Sequence, residues 1–197
     1  MGKWNDSQCE AVVNATFRVL ERTGCVIHNE KALKLLKDAG CSADGERVRI
    51  PSSLMRWAID SAPSAFTLYN RFGQPAMKLE PYETNFGPVL GDTFYLDYET
   101  GEKRRGLKAD MVNAALVLEV CPNIGYATGV VVPSDVESAI SEVYEVNTIL
   151  PITTKPILYY AQNIDNLRDQ VEMLEAVAGG PEKLADKPTG FLSHLSR

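Results

Sequence analysis

A few residues of this chain combine a type and a position from which ligand chemistry can be built. Asn85, Phe86, Gly87 and Asp92 lie in the glycine-bearing stretch NFGPVLGD, which can bring backbone and a carboxylate up to a small molecule. Thr128 and Gly129 sit in an apolar run, where the glycine permits close approach of a ligand. Tyr159 and Tyr160 close a second apolar run. Strand alternation turns one ring inward and the next outward, and an inward ring attracts a soft cation with roughly 0.5–2 kcal/mol. His194 is the only histidine near an expected strand end; with no second base nearby it offers little for acid–base work. Each group also has a plainer role. Residues 85–92 make a turn that needs glycine dihedrals, Thr128 and Gly129 serve tight helix–sheet packing, and the tyrosines fill a core. Both roles stay open on these residues alone.

Several chemistries are disfavoured. No Ser/His/Asp or Cys/His pattern supports a hydrolase, and residues 85–92 match neither GxGxxG nor a P-loop. Cys9, Cys25, Cys41 and Cys121 never form CxxC and are expected to be buried small hydrophobes in a reducing compartment. With only His28 and His194 beside them, no metal site is expected. A net charge of −6 argues against nucleic acid as a partner. The basic cluster Lys103-Arg104-Arg105 sits beside Glu99 and Glu102 and reads as a solvated loop. No window reaches the ~20 apolar residues of a membrane span. The opening MGKWNDSQCE lacks a signal-peptide core, so a cytoplasmic location is expected.

The elements that must position these residues follow from periodicity. Residues 126–132 form a β-branched run stopped by Pro133. Ser134 and Asp135 are then placed to cap a helix with Val136, Ala139, Ile140, Val143 and Leu150 at spacings of three and four. Residues 157–160 form a second buried run. A helix between two such runs is a βαβ unit, which implies parallel strands and a right-handed crossover. Upstream, a helix is expected over 7–23 with Cys9, Val12, Val13, Phe17 and Leu20 on one face. A second begins at Asn29, a turn falls at Asp44-Gly45, and a third helix presents Leu54, Trp57, Ala58 and Ser61. Hairpins join 66–69 to 76–79 and 94–97 to 102–105. A helix over 107–121 turns Val112, Ala115, Leu116 and Val120 inward. Asn163 caps another, 181–187 is a short polar piece, and 189–194 opens a third parallel strand. Strand starts about thirty residues apart have the period of a βα array. The expected class is therefore α/β: a helical extension over 1–65, then 66–197 as the first βα units of a (β/α)8, TIM-like barrel with hairpin insertions. Three parallel strands cannot close a barrel of about eight, so the barrel is expected to be incomplete.

Six stretches in order resemble the N-terminal part of the trimethylamine methyltransferase family, corrinoid-linked enzymes that demethylate methylamines and betaines. They are LERTGCVIHNEKALKLLKDAGCSADGERVRIP, FTLYNR, NFGPVLGDTFYLDYETGEKRRG, LEVCPNIGYATGVVVPSDV, TTKPILYY and MLEAVAGGPEKL, running from Leu20 to Leu184. The resemblance implies a (β/α)8 barrel behind an N-terminal helical extension, longer than this chain, so that an oligomer or a missing C-terminal part is expected. It implies transfer of a methyl group from trimethylamine or a quaternary amine such as a betaine to the cobalt of a separate corrinoid protein. No cofactor would bind this chain directly; the cobalamin would be carried by that partner. In the trimethylamine enzymes proper a pyrrolysine takes part, in a region beyond Arg197, so the substrate is undecided. The alternative is a non-catalytic truncated fragment or interaction subunit that completes its barrel with another chain.

Overall fold

Asparagine side chains open the first two helices by taking up backbone amides that no helical carbonyl can reach. Asn5 and Gln8 cap α1 (Asp6–Arg22) reciprocally, each side-chain oxygen accepting the other's backbone N–H at 3.0 Å. Asn29 caps α2 (Glu30–Asp38) in the simpler way. The computed structural model describes residues 4–195, with side chains through Ser193. The chain divides into two units, Met1–Pro63 and Ser64–Arg197.

In the first unit β1 (Cys25–Val26), β2 (Ser42–Asp44) and β3 (Arg47–Arg49) form an antiparallel sheet in the order β1-β3-β2, and α3 (Ser52–Ser61) follows. Its interior is small: Phe17, Cys41 and Val48 are the buried hydrophobics. Val12, Val13 and Trp57, all expected inward, are exposed, Trp57 to 66%. A three-stranded sheet of two- and three-residue strands is too narrow to cover a whole helix face. Cys9 is exposed and Cys41 alone of the four cysteines is buried. The expectation of four buried cysteines is thereby corrected.

The second unit opens with two antiparallel hairpins, β4 (Phe66–Tyr69) with β5 (Pro75–Leu79) and β6 (Phe94–Leu96) with β7 (Lys103–Arg105). Arg104 in β7 is not solvated as expected. It binds Asp110 through Nη1 at 2.6 Å and Nη2 at 2.9 Å, reaches Asp97 at 3.2 Å, and lies over the Tyr95 ring. The unit continues with α4 (Lys108–Val120), a 3-10 turn at Ser138–Ile140, α5 (Ser141–Ile149) and β8 (Ile157–Ala161). It ends with α6 (Ile164–Ala178), α7 (Pro181–Asp186) and β9 (Gly190–Leu195). Residues 181–187, read from sequence only as a short polar piece, contain a helix with proline in its first turn.

β8 and β9 pair in parallel, Ile157 opposite Gly190. Residues 126–132 are extended and touch their neighbours by two parallel bridges, Ala127 with Ile157 and Asp92 with Val131. Four extended segments therefore lie side by side and parallel, around 92, around 127–131, β8 and β9. Parallel pairing on either side of α5 is what the βαβ reading required. The unit is a mixed helix and strand assembly of small sheets, and among the described residues no barrel closes. Four segments are about half of what closure needs.

The core lies between β8 and the helices: Met111, Ala115, Val146, Ile149, Leu150, Ile157 and Leu174, with Tyr159 packed against it. Two helix phases differ from expectation. On α4, Met111, Ala115 and Leu118 are buried, while Leu116 and Val120 are exposed to 53% and 77%. Helix α5 begins at Ser141 instead of near Val136. The expected capping residues serve α4 instead: Asp135 Oδ1 accepts from Lys108 N at 3.0 Å and the Ser134 hydroxyl donates to Gly106 O at 2.9 Å.

Candidate functional site

The segment through Gly129 is pressed against α5. A Cβ on Gly129 would meet the Glu145 carboxylate and lie 2.9 Å from the Glu145 Cβ, so no larger residue fits without movement. Glu145 is 2% exposed, and the Tyr160 hydroxyl donates to its Oε1 at 3.3 Å. Burial pushes the Glu145 carboxyl up to about 8; the Tyr160 hydrogen bond opposes this and the neighbouring Glu142 adds to it. The Tyr160 hydroxyl is pushed up too, first by burial and then by the charges of Glu145 and Glu142. Near neutral pH the Glu145–Tyr160 pair thus holds a proton that a nearby charge can move.

Glu142, one turn earlier, is 1% exposed but well satisfied. Its Oε1 accepts from Gln162 N at 3.0 Å and Asn166 Nδ2 at 2.7 Å, and its Oε2 from the Ser141 hydroxyl at 3.3 Å. This carboxylate ties the loop after β8 to α5 and α6. Gln170 then donates from Nε2 to Tyr160 O at 3.0 Å, fixing the end of β8, while its buried Oε1 has no partner among the described residues. The register of β8 with β9 slips between Tyr159 and Ala161, so the irregularity falls at Tyr160. Such slips re-aim side chains beside functional sites.

The face of the strands turned away from the core carries a second set. Ala127 and Ile157 are paired and both buried in the core. By alternation Tyr126, Thr128, Leu158 and Phe191 share the other face. Tyr126 and Phe191 meet edge to face, centroids 5.3 Å apart. The Tyr126 hydroxyl donates to Pro88 O at 3.3 Å, and its ring occupies the space a Gly87 side chain would need. Thr128 is 1% exposed and its hydroxyl has no partner among the described residues.

The residues singled out from sequence fall into separate places. Gly87, Thr128, Gly129 and Tyr160 belong to the two sets just described. Asn85 is exposed and donates to Lys78 O at 2.7 Å, closing a loop. Phe86 is exposed to 66%, and its carbonyl accepts from Gly125 N at 2.8 Å. Asp92 is exposed and contributes backbone to the parallel pairing. Tyr159 packs on the core. His194 lies in β9, and its side chain is outside the described residues. Glu142, Glu145, Asn166 and Gln170 were missed. Asn166 and Gln170 are buried positions of α6, and the signal for Glu142 and Glu145 was the phase of α5, where 141, 142, 145, 146 and 149 are the buried positions. The stripe read from sequence was displaced from it by one residue. Among the described residues no group of three or more His, Cys, Asp or Glu side chains is placed to hold a metal ion, and no helix is long and apolar enough to cross a membrane.

Comparison with known proteins gives this geometry a context. The family model for trimethylamine methyltransferase (MTTB) matches residues 2–192. The chain belongs to the trimethylamine methyltransferase family. It is 27% identical over 187 residues to a trimethylamine methyltransferase MttB of Desulfitobacterium hafniense, covering 94% of this chain and 38% of that protein. It is 22% identical over 184 residues to a glycine betaine methyltransferase of the same species, covering 93% and 38%. A proline betaine:corrinoid methyltransferase of Eubacterium limosum is 31% identical over 97 residues, covering 49% of this chain and 20% of that protein. The chain therefore spans under two fifths of the length of the first two relatives.

Proposed function

We propose that this chain supplies part of the substrate-binding architecture for methyl transfer from a methylated amine, trimethylamine or a betaine, to a corrinoid protein. The family match over nearly the whole chain carries this reading. The names of its relatives, which include methyltransferases of trimethylamine, glycine betaine and proline betaine, agree with it. On this reading the (β/α) units here are the early part of a barrel, and the cobalamin belongs to the partner protein; no residue of this chain is assigned to hold it.

The chemistry asks for a pocket that takes a bulky, weakly hydrated cation and points one methyl group at the acceptor. Rings suit that task, each attracting the cation with roughly 0.5–2 kcal/mol, and Tyr126 and Phe191 are rings already packed together. Tyr160, half-buried, adds a ring whose hydroxyl is bonded to the buried Glu145 carboxyl. A cation near the Tyr160 ring stabilises ionised Glu145 and draws its proton off. Glu145 then acts through Tyr160 as a positioning residue. The methyl carbon leaves nitrogen for the acceptor, the C–N electron pair stays on the amine, and the bound cation becomes neutral. Holding the methyl group in line with the acceptor is an orientation effect.

The test is to mix the purified chain with trimethylamine, glycine betaine or proline betaine and cob(I)alamin or a corrinoid protein, following the cobalt spectrum. Methylcobalamin formation with one amine and not the others identifies the substrate. None with any amine overturns the reading for this polypeptide. A second reading is favoured by β9, whose only described strand neighbour is β8: the chain is a non-catalytic subunit whose sheet is completed by another polypeptide. A stable monomer in light scattering, with no change on adding that partner, overturns it.

A further inference from the structure

At the amino ends of β8 and β9, away from Tyr160, the turn between β4 and β5 faces the start of β9 across a cavity of about 370 Å³. Main-chain hydrogen bonds hold its walls: Tyr69 N to Pro188 O at 2.8 Å, Arg71 N to Thr154 O at 3.1 Å, and Ile157 N to Thr189 O at 3.0 Å. Asn70 Oδ1 accepts from both Phe72 N and Gln74 N at 3.0 Å and sets the turn. Arg71, Lys183 and Lys187 line this cavity with a single carboxylate, Asp186.

The three cations are unusually free. Arg71 spends Nη1 on Leu150 O and Pro151 O at 3.0 and 3.1 Å, which anchors the guanidinium. Its Nε and Nη2 have no hydrogen-bond partner among the described residues. They form the side edge that grips two oxygens of a carboxylate or phosphate at once. The Phe72 ring lies 5.3 Å from the guanidinium carbon and holds the plane. Lys187 folds back over Gly73 and Lys183 over Gly179. Among the described residues neither has an ion pair within 4 Å. The floor is Thr189, 6% exposed, whose buried hydroxyl has no partner among the described residues.

A fixed guanidinium edge and two uncommitted ammonium groups around one cavity, with an unpartnered hydroxyl buried in the residue at its floor, make a receptor for a compact, multiply charged oxyanion. We propose that Arg71, Lys183, Lys187 and Thr189 form a binding site for a phosphoryl group, as inorganic phosphate or as a small phosphomonoester. Two cations in excess over Asp186 favour a dianion over a monocarboxylate. The cavity has room for a small organic portion beside Phe72. The site stands apart from the Glu145–Tyr160 pair and does not depend on the methyl-transfer reading.

Phosphorus-31 NMR titration of the full chain with inorganic phosphate, and separately with glycerol phosphate, tests it. The variants are Lys183→Gln with Lys187→Gln, whose exposed side chains anchor nothing, and Arg71→Lys, which keeps the charge and loses the two-pronged edge. Near-ultraviolet circular dichroism confirms that each is folded. Saturable binding is expected, weakened about tenfold or more in the double variant and also in Arg71→Lys. Tighter binding of glycerol phosphate assigns the phosphomonoester; equal binding assigns phosphate itself. No saturable binding of either compound, unchanged affinity in the double variant, or equal displacement by acetate at matched ionic strength overturns the proposal.

Discussion

Glu145 offers a sharp test because its position between Gly129 and Tyr160 translates into a stability that depends on pH. In the unfolded chain its carboxyl titrates near the ordinary 4.5, and in the folded protein near 8. A raised carboxyl pKa means that the folded state holds its proton more tightly. Below the unfolded value both states are protonated and the group contributes nothing. As pH rises the unfolded state ionises first, and stability falls until the folded pKa is passed. At about 1.4 kcal/mol per pH unit, the total is on the order of 5 kcal/mol, an upper figure that relaxation and water entry reduce. Glu145→Gln keeps the shape and an acceptor for the Tyr160 hydroxyl but cannot ionise. Urea denaturation at a series of pH values is the assay. The variant is expected to match the parent near pH 4 and to exceed it by at least about 2 kcal/mol near pH 9. A difference that stays constant across that window would mean that Glu145 titrates as an ordinary surface carboxylate. The dry contact between α5 and residue 129 would then be wrong.

Tyr160→Phe removes the one hydrogen bond that favours ionised Glu145; it should move the loss of stability to higher pH and deepen it by about 1 kcal/mol, read in the same titration. Gly129→Ala is expected to cost about 1–3 kcal/mol. Because the new methyl group lies against the Glu145 Cβ as well as its carboxylate, Gly129→Ala with Glu145→Ala should recover only part of that loss in urea denaturation. Asp110, which accepts from Arg104 and from Leu107 N at 2.8 Å, has its carboxyl held below the ordinary range chiefly by the Arg104 hydrogen bond. That stability is present above the ordinary carboxylate range and is lost as pH falls through the folded value. Asp110→Asn should therefore lower the melting temperature at neutral pH and flatten the acid side of the stability curve below about pH 4.

Local signals carried the elements well. Asn29 and Asn163 were readable as caps, because a side-chain acceptor at that position acts within a single turn. The hairpins were readable from alternating residues around turns, and the parallel sense of residues 127 and 157 from the helix between them. What sequence could not reveal was set at a distance. Ser134 and Asp135 look like a cap for the helix that follows them, and it takes α4, brought back alongside, to claim them. The phase of α4 failed for the same reason: a helix so rich in apolar residues shows several possible stripes, and only the packed neighbours choose Met111, Ala115 and Leu118. Glu142 and Glu145 escaped notice because a carboxylate inside a helix normally marks the solvated side. Apart from Ser141 beside Glu142, their partners lie fifteen to twenty-four residues away.

Two carboxylates at opposite ends of β8 show why one of them is a better candidate for function. Glu119, before the amino end of β8, accepts from the Thr153 hydroxyl at 2.7 Å, Thr154 N at 2.9 Å and the Thr154 hydroxyl at 2.7 Å. Beside it Lys155 Nζ donates to Leu118 O and Cys121 O at 2.6 Å each. Burial raises the Glu119 carboxyl, yet these hydrogen bonds and the charge of Lys155 together hold it below its usual value. That network is complete, so it anchors the C-terminal end of α4 to the strand and has nothing left to offer a ligand. Glu145, near the carboxyl end, is more deeply buried, has one long hydrogen bond among the described residues, and feels the charge of a second acid, Glu142. Folding alone gives no reason to keep so poorly satisfied a group where a Leu would pack better. In open parallel sheets ligands bind outside the carboxyl ends of the strands, and Glu145, the poorly satisfied acid of this unit, lies near that end. A scan replacing Glu119 and Glu145 separately should divide them: Glu119→Gln lowers stability at neutral pH, whereas Glu145→Gln raises it while changing the binding of a methylated amine. If both variants only lower stability, the carboxyl end has no more claim to function than the amino end.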